Sequence, residues 1–117
     1  MAKYESRLQG SFDDLLRRVD DGIIKGSISA SYEDGSDYRK NDLRCAIRVY
    51  ERYSMIGKNR VSLNVALIGN DNELFISAIT SGGSQAVFLK INTFGEESFL
   101  DQIINIVERY KNEWANR

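Results

Sequence analysis

The segment from Leu43 to Met55 alternates between two kinds of side chain, and this alternation restricts the fold more than any other feature. Its odd positions are mostly apolar and three even positions are arginine: Leu43, Cys45, Ile47, Val49, Tyr53 and Met55 against Arg44, Arg48 and Arg52. Successive side chains of a β-strand point to opposite faces, whereas a helix would scatter both sets around its axis. The pattern predicts a long strand whose apolar row is covered by the rest of the chain and whose arginines lie on the outer face of a sheet.

Similar alternation predicts the other strands. Ser27–Glu33 and Val61–Leu67 each have one apolar row, and Leu74–Thr80 is apolar on both faces. Residues 85–92 are interpreted as a fifth strand, although a continuation of the fourth strand past a glycine bulge fits the same pattern. We expect a loop at Asp34–Asp42 and tight turns at Ile56-Gly57-Lys58-Asn59 and Gly69-Asn70-Asp71-Asn72. Because short turns join neighbouring strands, the sheet is predicted to be an antiparallel meander.

Two segments have the period of amphipathic helices. Ser11 is a good N-cap for a helix over residues 11–25, whose apolar stripe consists of Phe12, Leu15, Leu16, Val19 and Ile23. Thr93 and Glu96 form a capping box for a C-terminal helix, whose stripe consists of Phe99, Ile103, Val107, Tyr110 and Trp114. Tyr4 and Leu8, four residues apart, indicate a preliminary helical turn within residues 1–10.

These elements predict a single α+β domain over residues 1–117. We expect an antiparallel meander sheet of four to five strands, with the N- and C-terminal helices packed on one face because each has an apolar stripe to bury. The chain has 42% hydrophobic and 28% charged residues, which is typical of a globular domain. It shows no secretory signal and no apolar run of the ~20 residues that a membrane helix needs. Cys45, the one cysteine, is expected in the core, and the prediction is a cytoplasmic protein.

The junction between the last predicted strand and the last helix resembles a group of small bacterial proteins. It reads Phe88-Leu-Lys-Ile-Asn-Thr-Phe-Gly-Glu-Glu-Ser-Phe-Leu-Asp. With the meander before it, this junction is similar to families described as uncharacterised domains of unknown function. The resemblance implies a fold and no activity, because it includes no catalytic motif.

The composition excludes several kinds of catalytic site. The chain has no histidine, so it lacks the commonest general base and metal ligand, and a Ser–His or Cys–His nucleophile is impossible. The carboxylates around the first long loop do not match an EF-hand: Glu33, Asp34, Asp37 and Asp42. Gly82-Gly83 precedes a strand pattern, whereas a phosphate loop precedes a helix. We therefore expect no catalytic residue, no metal and no cofactor, and an enzyme is the least favoured class of function.

The arginines of the long strand suggest anion binding. Arg44, Arg48 and Arg52, with Tyr50 among them, would form a basic face suited to phosphate or single-stranded nucleic acid. Residues 39–60 contain seven basic and two acidic side chains, a local charge of +5, but the whole chain has a net charge of −1. A dedicated nucleic-acid binder has a broader basic surface. Anion binding by these four residues is therefore an alternative function, and a nucleic-acid partner is disfavoured.

The two-sided strand Leu74–Thr80 leads to the favoured interpretation. Because helices cover only one face of a sheet, the other face would keep an apolar patch formed by Ile68, Phe75, Ile79 and Phe88. Such patches mark interfaces, and a homodimer with sheet against sheet is the simplest way to cover one. Alternatively, a small apolar ligand would bind between sheet and helices, in a pocket lined by Tyr32, Tyr53, Phe99, Tyr110 and Trp114. The sequence thus predicts a non-enzymatic interaction or small-ligand-binding module, favoured as a homodimer.

Overall fold

Five strands and two helices form the part of the chain that the computed structural model describes. That part is residues 1–54, 59–82 and 89–117, without the side chains of residues 54, 59 and 89–95. In chain order the elements are β1 (Ala2–Gln9), α1 (Phe12–Lys25), β2 (Ser31–Lys40), β3 (Leu43–Ser54), β4 (Asn59–Asn70), β5 (Glu73–Gly82) and α2 (Leu89–Ala115). All five strands belong to one antiparallel sheet in the order β1-β5-β4-β3-β2. The predicted α+β class, with one helix toward each end of the chain, is confirmed.

Strands β2 to β5 form a meander, and two of its connections are described as tight turns. Lys40 pairs with Leu43, so the turn between β2 and β3 contains only two residues, and the turn between β4 and β5 is equally short. The first residue of each turn has a positive φ, 56° at Asn41 and 55° at Asp71. Asn and Asp tolerate this left-handed conformation better than other residues with a side chain. These two positions therefore allow the chain to reverse without glycine.

The N-terminal segment is a strand, so the prediction of a helical turn in residues 1–10 is wrong. Strand β1 pairs with β5 along its whole length and lies at the sheet edge opposite to β2, to which α1 connects it. Leu8 is buried and Tyr4 is half-buried, whereas the alternate side chains are exposed: Lys3, Glu5, Arg7 and Gln9. Two side chains four residues apart lie on the same side of a helix, after about one turn, and also on the same face of a strand, after two repeats of two residues. Tyr4 and Leu8 alone could not distinguish the two structures.

Strand β2 also lies elsewhere than predicted. Of the predicted strand Ser27–Glu33, only the last three residues are in β2, and Ile28 is a fully exposed turn residue. Most of the predicted loop Asp34–Asp42 is instead the body of the strand. Because β2 is an edge strand with mostly exposed side chains, it needs no continuous apolar row, and alternation of hydrophobicity does not reveal it.

The strand predicted over residues 85–92 is wrong where the structure describes it. Helix α2 begins at Leu89, four residues before the predicted capping residue Thr93, so residues 89–92 are helical. Residues 85–88 lie outside the described part, as do Met55 at the end of the predicted long strand and residues 56–58 of the predicted turn that follows it. The fifth strand of the sheet is β1, at the other end of the chain.

The core lies between the two helices and one face of the sheet, called the inner face. Ser11 caps α1 as predicted, since its hydroxyl accepts the Asp14 N–H at 3.3 Å. Both helices pack on this face: α2 contacts β1, β4 and β5, and α1 contacts α2 and β4. The buried hydrophobic residues of α1, β4, β5 and α2 are Phe12, Leu15, Val19, Ile23, Val61, Leu63, Val65, Leu67, Leu74, Ile76, Ala78, Phe99, Leu100, Ile103, Val107 and Tyr110. The predicted placement of both helices on one face is therefore confirmed.

Candidate functional site

The arginine row of β3, which the sequence predicts on the outer face of the sheet, points toward the helices. Leu43 is 41% exposed and Ile47 is 40% exposed, whereas Ala46 and Tyr50 are 1% and 0% exposed. The even row therefore lies on the inner face. The odd row, with the half-buried Cys45, lies on the opposite face of the sheet, called the open face. The prediction that the odd row is covered by the helices is wrong, and so is the inward placement of Cys45.

The arginines of β3 lie along the margin of the helices. Arg44 forms an ion pair of 2.7 Å with Asp13 of α1, and its guanidinium lies 4.2 Å from the ring centre of Phe12. The guanidinium of Arg52 lies 4.7 Å from the ring centre of Phe99 in α2. A long arginine stem packs against apolar atoms while its charged head stays at the surface. This explains how an arginine row can belong to the covered face of a sheet.

The other two members of the predicted anion site also have acidic partners. Arg48 forms an ion pair of 3.0 Å with Asp37 of β2. The Tyr50 hydroxyl donates a hydrogen bond to the Asp20 carboxylate, and burial together with this bond raises the pKa of Tyr50. The structure thus brings the four predicted residues onto one face, but Arg44, Arg48 and Tyr50 are engaged by carboxylates. This arrangement provides little positive potential for an external anion.

The open face can be described from the pairing register as rows that run across the sheet, because directly paired residues point to the same side. Four rows cross all five strands, and each begins on β2 and ends on β1. The first row is Asp34, Val49, Asn64, Ile79 and Lys3. The second row is Ser36, Ile47, Ala66, Ser77 and Glu5. The third row is Tyr38, Cys45, Ile68, Phe75 and Arg7. The fourth row, next to the β2–β3 and β4–β5 turns, is Lys40, Leu43, Asn70, Glu73 and Gln9.

The middle three strands contribute nine residues to the first three rows, and none of the nine is charged. We call this set the central block; it consists of Val49, Asn64, Ile79, Ile47, Ala66, Ser77, Cys45, Ile68 and Phe75. Ile68 is 39% exposed and Ile79 is 38% exposed. Charged side chains occur at the ends of these rows, on the two edge strands, and at Glu73 of β5 in the fourth row. The open face is therefore an apolar centre with a charged border.

Three of the four residues predicted to form an interface lie in the central block. Ile68, Phe75 and Ile79 come from β4 and β5, and the fourth, Phe88, lies outside the described part of the chain. The β3 residues of the block were not predicted to be at an interface. Their alternation is visible in the sequence, but the pattern predicts the odd row of β3 on the face that the helices cover. Knowledge of which strands the helices cover would have been needed to find them.

The five aromatic residues predicted to line a pocket do not converge. Phe99 and Tyr110 are core residues, and Trp114 packs at the edge of the core. Tyr32 is 52% exposed and lies against the buried Tyr50 on the inner side, with ring centres 6.0 Å apart. Tyr53 is 40% exposed and belongs to the odd row of β3. The geometry of these residues gives no support to a shared ligand pocket.

A shallow groove of about 800 Å³ lies at one end of the open face. Ile68 and Phe75 line it together with polar residues of β1, β4 and β5, among them Arg7 and Glu73. Because the groove shares these two residues with the central block, it is part of the same surface. Among the described residues, no three Cys, Asp or Glu side chains are grouped so that they could hold a metal ion. No helix within the described ranges is long and apolar enough to cross a membrane.

The sequence also matches a known family model over residues 1–111, which include every strand and most of α2. The chain belongs to DUF6054. This family is described as one of unknown function, and the expected membership of an uncharacterised family is confirmed. No curated protein and no solved structure matches the chain. A function must therefore be argued from the surface of the domain.

Proposed function

We propose that this domain is a non-enzymatic interaction module that forms a homodimer through the open face of its sheet. The observation that carries the proposal is the central block, in which Ile47, Ile68 and Ile79 are between 38% and 40% exposed on neighbouring strands. Monomeric proteins rarely expose a contiguous apolar patch of this kind. A second sheet packed against the block would remove these side chains from water.

The size of the open face suits a stable dimer. Five strands ~4.8 Å apart and about eight residues at ~3.4 Å per residue give a face of about 650 Å². Two such faces together bury about 1,300 Å², which lies within the range of roughly 1,200–2,000 Å² for specific interfaces. The face is therefore large enough for a second copy of the domain without any contribution from the helices.

The charges on the border strands support a second copy of this domain as the partner. The border strands carry both signs on the open face, with Lys3, Glu5 and Arg7 on β1 and Asp34 and Lys40 on β2. An apolar centre with a polar border is the usual anatomy of a protein interface. In a two-fold dimer the same patch must complement itself, and a border of mixed sign allows this.

The test compares two isoleucines with the same exposure. Ile68 in the central block and Ile24 on α1 are both 39% exposed. Ile68→Asp places a charge in the middle of the interface, where it would be desolvated, so we expect dimer affinity to fall by about a hundredfold or more. Ile24→Asp makes the same chemical change on a helix surface and should leave the affinity unchanged. Sedimentation velocity over a wide range of protein concentration measures both dissociation constants.

Two outcomes would contradict this proposal. The wild-type protein could remain monomeric at the highest concentration that it tolerates, or the two aspartate variants could weaken association equally. A native mass spectrum adds a separate reading, because it shows subunit number and retained ligand together. A monomer with a retained small molecule would assign the open face to ligand binding instead.

A further inference from the structure

We propose that the free edge of β1 is a second binding site, which takes an extended, basic segment of a partner protein as an additional strand of the sheet. The site lies between this edge and the side of α2 that packs beside it, and it includes no residue of the central block. The inference therefore goes beyond the homodimer and does not depend on it. It rests on the direction of the backbone groups of β1 and on the charge of α2.

One backbone hydrogen bond shows which groups of β1 point away from the sheet. The Gly10 N–H donates to the Asn72 carbonyl at 2.9 Å, and these residues directly follow the pair formed by Gln9 and Glu73. In an antiparallel ladder, residues that exchange hydrogen bonds with the neighbouring strand alternate with residues whose N–H and C=O point the other way. The even residues of β1 therefore bond to β5, and the odd residues, from Lys3 to Gln9, direct their N–H and C=O outward.

This edge is a regular template for a further strand. β1 is the last strand on its side of the sheet, so its outward groups have no strand partner among the described residues. Its pairing with β5 continues over eight residues without a shift of register. The opposite edge differs, because the register of β2 shifts between Tyr32 and Asp34, and such a bulge hinders the addition of a strand. We therefore expect a partner strand on β1 and not on β2.

The inner-face side chains of β1 are only partly covered. Ala2, Tyr4 and Ser6 are half-buried, although α2 packs beside them. The Tyr4 hydroxyl donates a hydrogen bond to the Glu108 carboxylate, and the Lys111 ammonium donates one to the Ser6 hydroxyl at 3.2 Å. This side of α2 thus forms a wall above the edge. A strand added to β1 would place its own inner-face side chains against that wall.

The wall carries an excess of negative charge. Asp101 and Glu97 precede Glu108 by seven and eleven residues, about two and three helical turns, so the three carboxylates lie on one side of α2. We call these three residues and Lys111 the acidic flank. Lys111 forms an ion pair of 3.5 Å with Glu108, whereas Glu97 and Asp101 are exposed and have no ion pair within the described ranges. A strand with lysine or arginine at its inner-face positions would provide the missing partners.

A second copy of β1 fits this edge less well. A two-fold pairing of β1 with the partner's β1 would bring two acidic flanks side by side on the same face of the joined sheet. Their carboxylates would repel each other across the contact. A separate basic strand brings no such flank. On the open face, Lys3, Glu5 and Arg7 alternate in sign, so that side of the added strand needs no particular charge.

A synthetic peptide tests the site in the wild-type protein. The probe has about eight residues, with lysine alternating with threonine, and calorimetry measures its dissociation constant. Glutamate in place of lysine should weaken binding by more than about tenfold. Methylating the backbone nitrogens of one alternate set removes the hydrogen bonds to β1, keeps every charge and should weaken binding about tenfold, while methylating the other set should have little effect. Sensitivity of the threonine set indicates an antiparallel strand and sensitivity of the lysine set a parallel one. Equal effects of the two sets would overturn the inference.

Asp101→Lys and Asp21→Lys are a matched pair of protein variants. Each replaces an exposed helical aspartate by lysine and changes the net charge equally, but Asp21 belongs to α1, and α2 is the helix that packs beside β1. Asp101→Lys should raise the dissociation constant of the lysine peptide about tenfold, and Asp21→Lys by less than about twofold. If both variants weaken binding equally, the peptide responds only to net charge and the acidic flank is not its site.

Hydrogen exchange in the wild-type protein locates the peptide without any substitution. The amides of Lys3, Glu5 and Arg7 point outward and should exchange rapidly in the free protein, whereas those of Tyr4 and Ser6 are bonded to β5. Saturating peptide should slow exchange at the three odd amides by about tenfold or more. Unchanged exchange there overturns the inference even if the peptide binds elsewhere. Protection that grows with protein concentration in the absence of peptide would assign the edge to a second copy instead. None of these results bears on the homodimer, since the open face is tested separately through Ile68→Asp.

Discussion

Strands β3 and β4 are neighbours of equal length, twelve residues each, yet only β4 faces the way its sequence indicates. In β4 the apolar row is buried under the helices, and the polar row with Asn64 lies on the open face. In β3 the more apolar row lies on the open face, while the row with three arginines lies on the helix side. Alternation therefore shows that a strand has two different faces, but not which face is covered.

The difference arises from where the helices end. Helix α2 packs mainly on β1, β4 and β5, and contacts β3 less. An inner-face residue of β3 can therefore be fully buried, as Tyr50 is, or can reach the solvent along the margin of a helix, as Arg44 does. Residues on the inner face of β4 have no such route. Four predictions test this contrast, beginning with the largest expected effect and ending with the smallest.

The largest effect is expected when the same charge is placed in the apolar rows of the two strands. Leu63→Asp puts a carboxylate in the fully buried row of β4, where it has no partner, and should cost more than about 4 kcal/mol of folding free energy. Ile47→Asp puts it in the apolar row of β3 on the open face and should cost about 1 kcal/mol in the monomer. Urea unfolding at low protein concentration measures both, and similar losses would mean that the assignment of faces is wrong.

Tyr50 is the largest side chain that β3 contributes to the core, and the second prediction concerns its hydroxyl group. Tyr50→Phe keeps the ring but removes the hydrogen bond to the Asp20 carboxylate, which should cost about 2 kcal/mol of folding free energy. Asp20→Asn, which keeps an acceptor but removes the charge, should cost less. Equal stability of wild type and Tyr50→Phe would show that this bond does not hold β3 against α1.

The same substitution should change the dependence of stability on pH. The pKa of Tyr50 is raised above the ordinary value of 10.0 in the folded protein, so above pH 10 the unfolded chain loses this proton first. Stability is therefore full below pH 10 and falls as the pH rises further. In Tyr50→Phe the fall should be shallower, while Tyr4, whose pKa is raised to about 12, still contributes to it. Urea titrations between neutral pH and pH 11 give the two slopes.

The smallest effect is expected at the helix margin. Arg44→Met keeps an apolar stem against Phe12 and removes the charge, so it should cost about 0.5 kcal/mol, because the ion pair with Asp13 is largely exposed. Arg44→Ala also removes the stem and should cost about 1 kcal/mol. Thermal unfolding of both variants ranks the two contributions. Equal losses in Arg44→Met and Arg44→Ala would show that the charge, and not the stem, matters at this position.

The elements with a complete pattern could be predicted from the sequence. Helix α1 has both a cap at Ser11 and a regular apolar stripe, and its predicted range is close to the observed one. Strands β4 and β5 could be recognised because the side chains of a buried row are almost all apolar, which gives a regular alternation in the sequence. Strand β1 was missed and β2 was misplaced because edge strands are largely exposed and tolerate polar residues at almost every position. The order of the strands depended on β1 and so could not be predicted.

The candidate site was predictable only in part, for a related reason. Ile68, Phe75 and Ile79 followed from a strand that is apolar on both faces, a signal contained within one segment. The contribution of Ile47 and its neighbours depends on the position of β3 relative to helices that are distant in sequence. The proposed pocket of five aromatic residues was an inference from residue type, and residue type does not determine which side chains meet.

The place of β1 in the sheet has a consequence for how the chain folds. β1 is synthesised before the other four strands, yet the one strand that pairs with it in the described sheet is β5, and the Thr80 hydroxyl donates a hydrogen bond to the Ala2 carbonyl across 78 positions. The hairpins of β2 to β5 close locally, but β1 must wait until all of them exist. We therefore expect docking of β1 to be a late step of folding, and the edge of β5 to stay open to wrong partners until that step is complete.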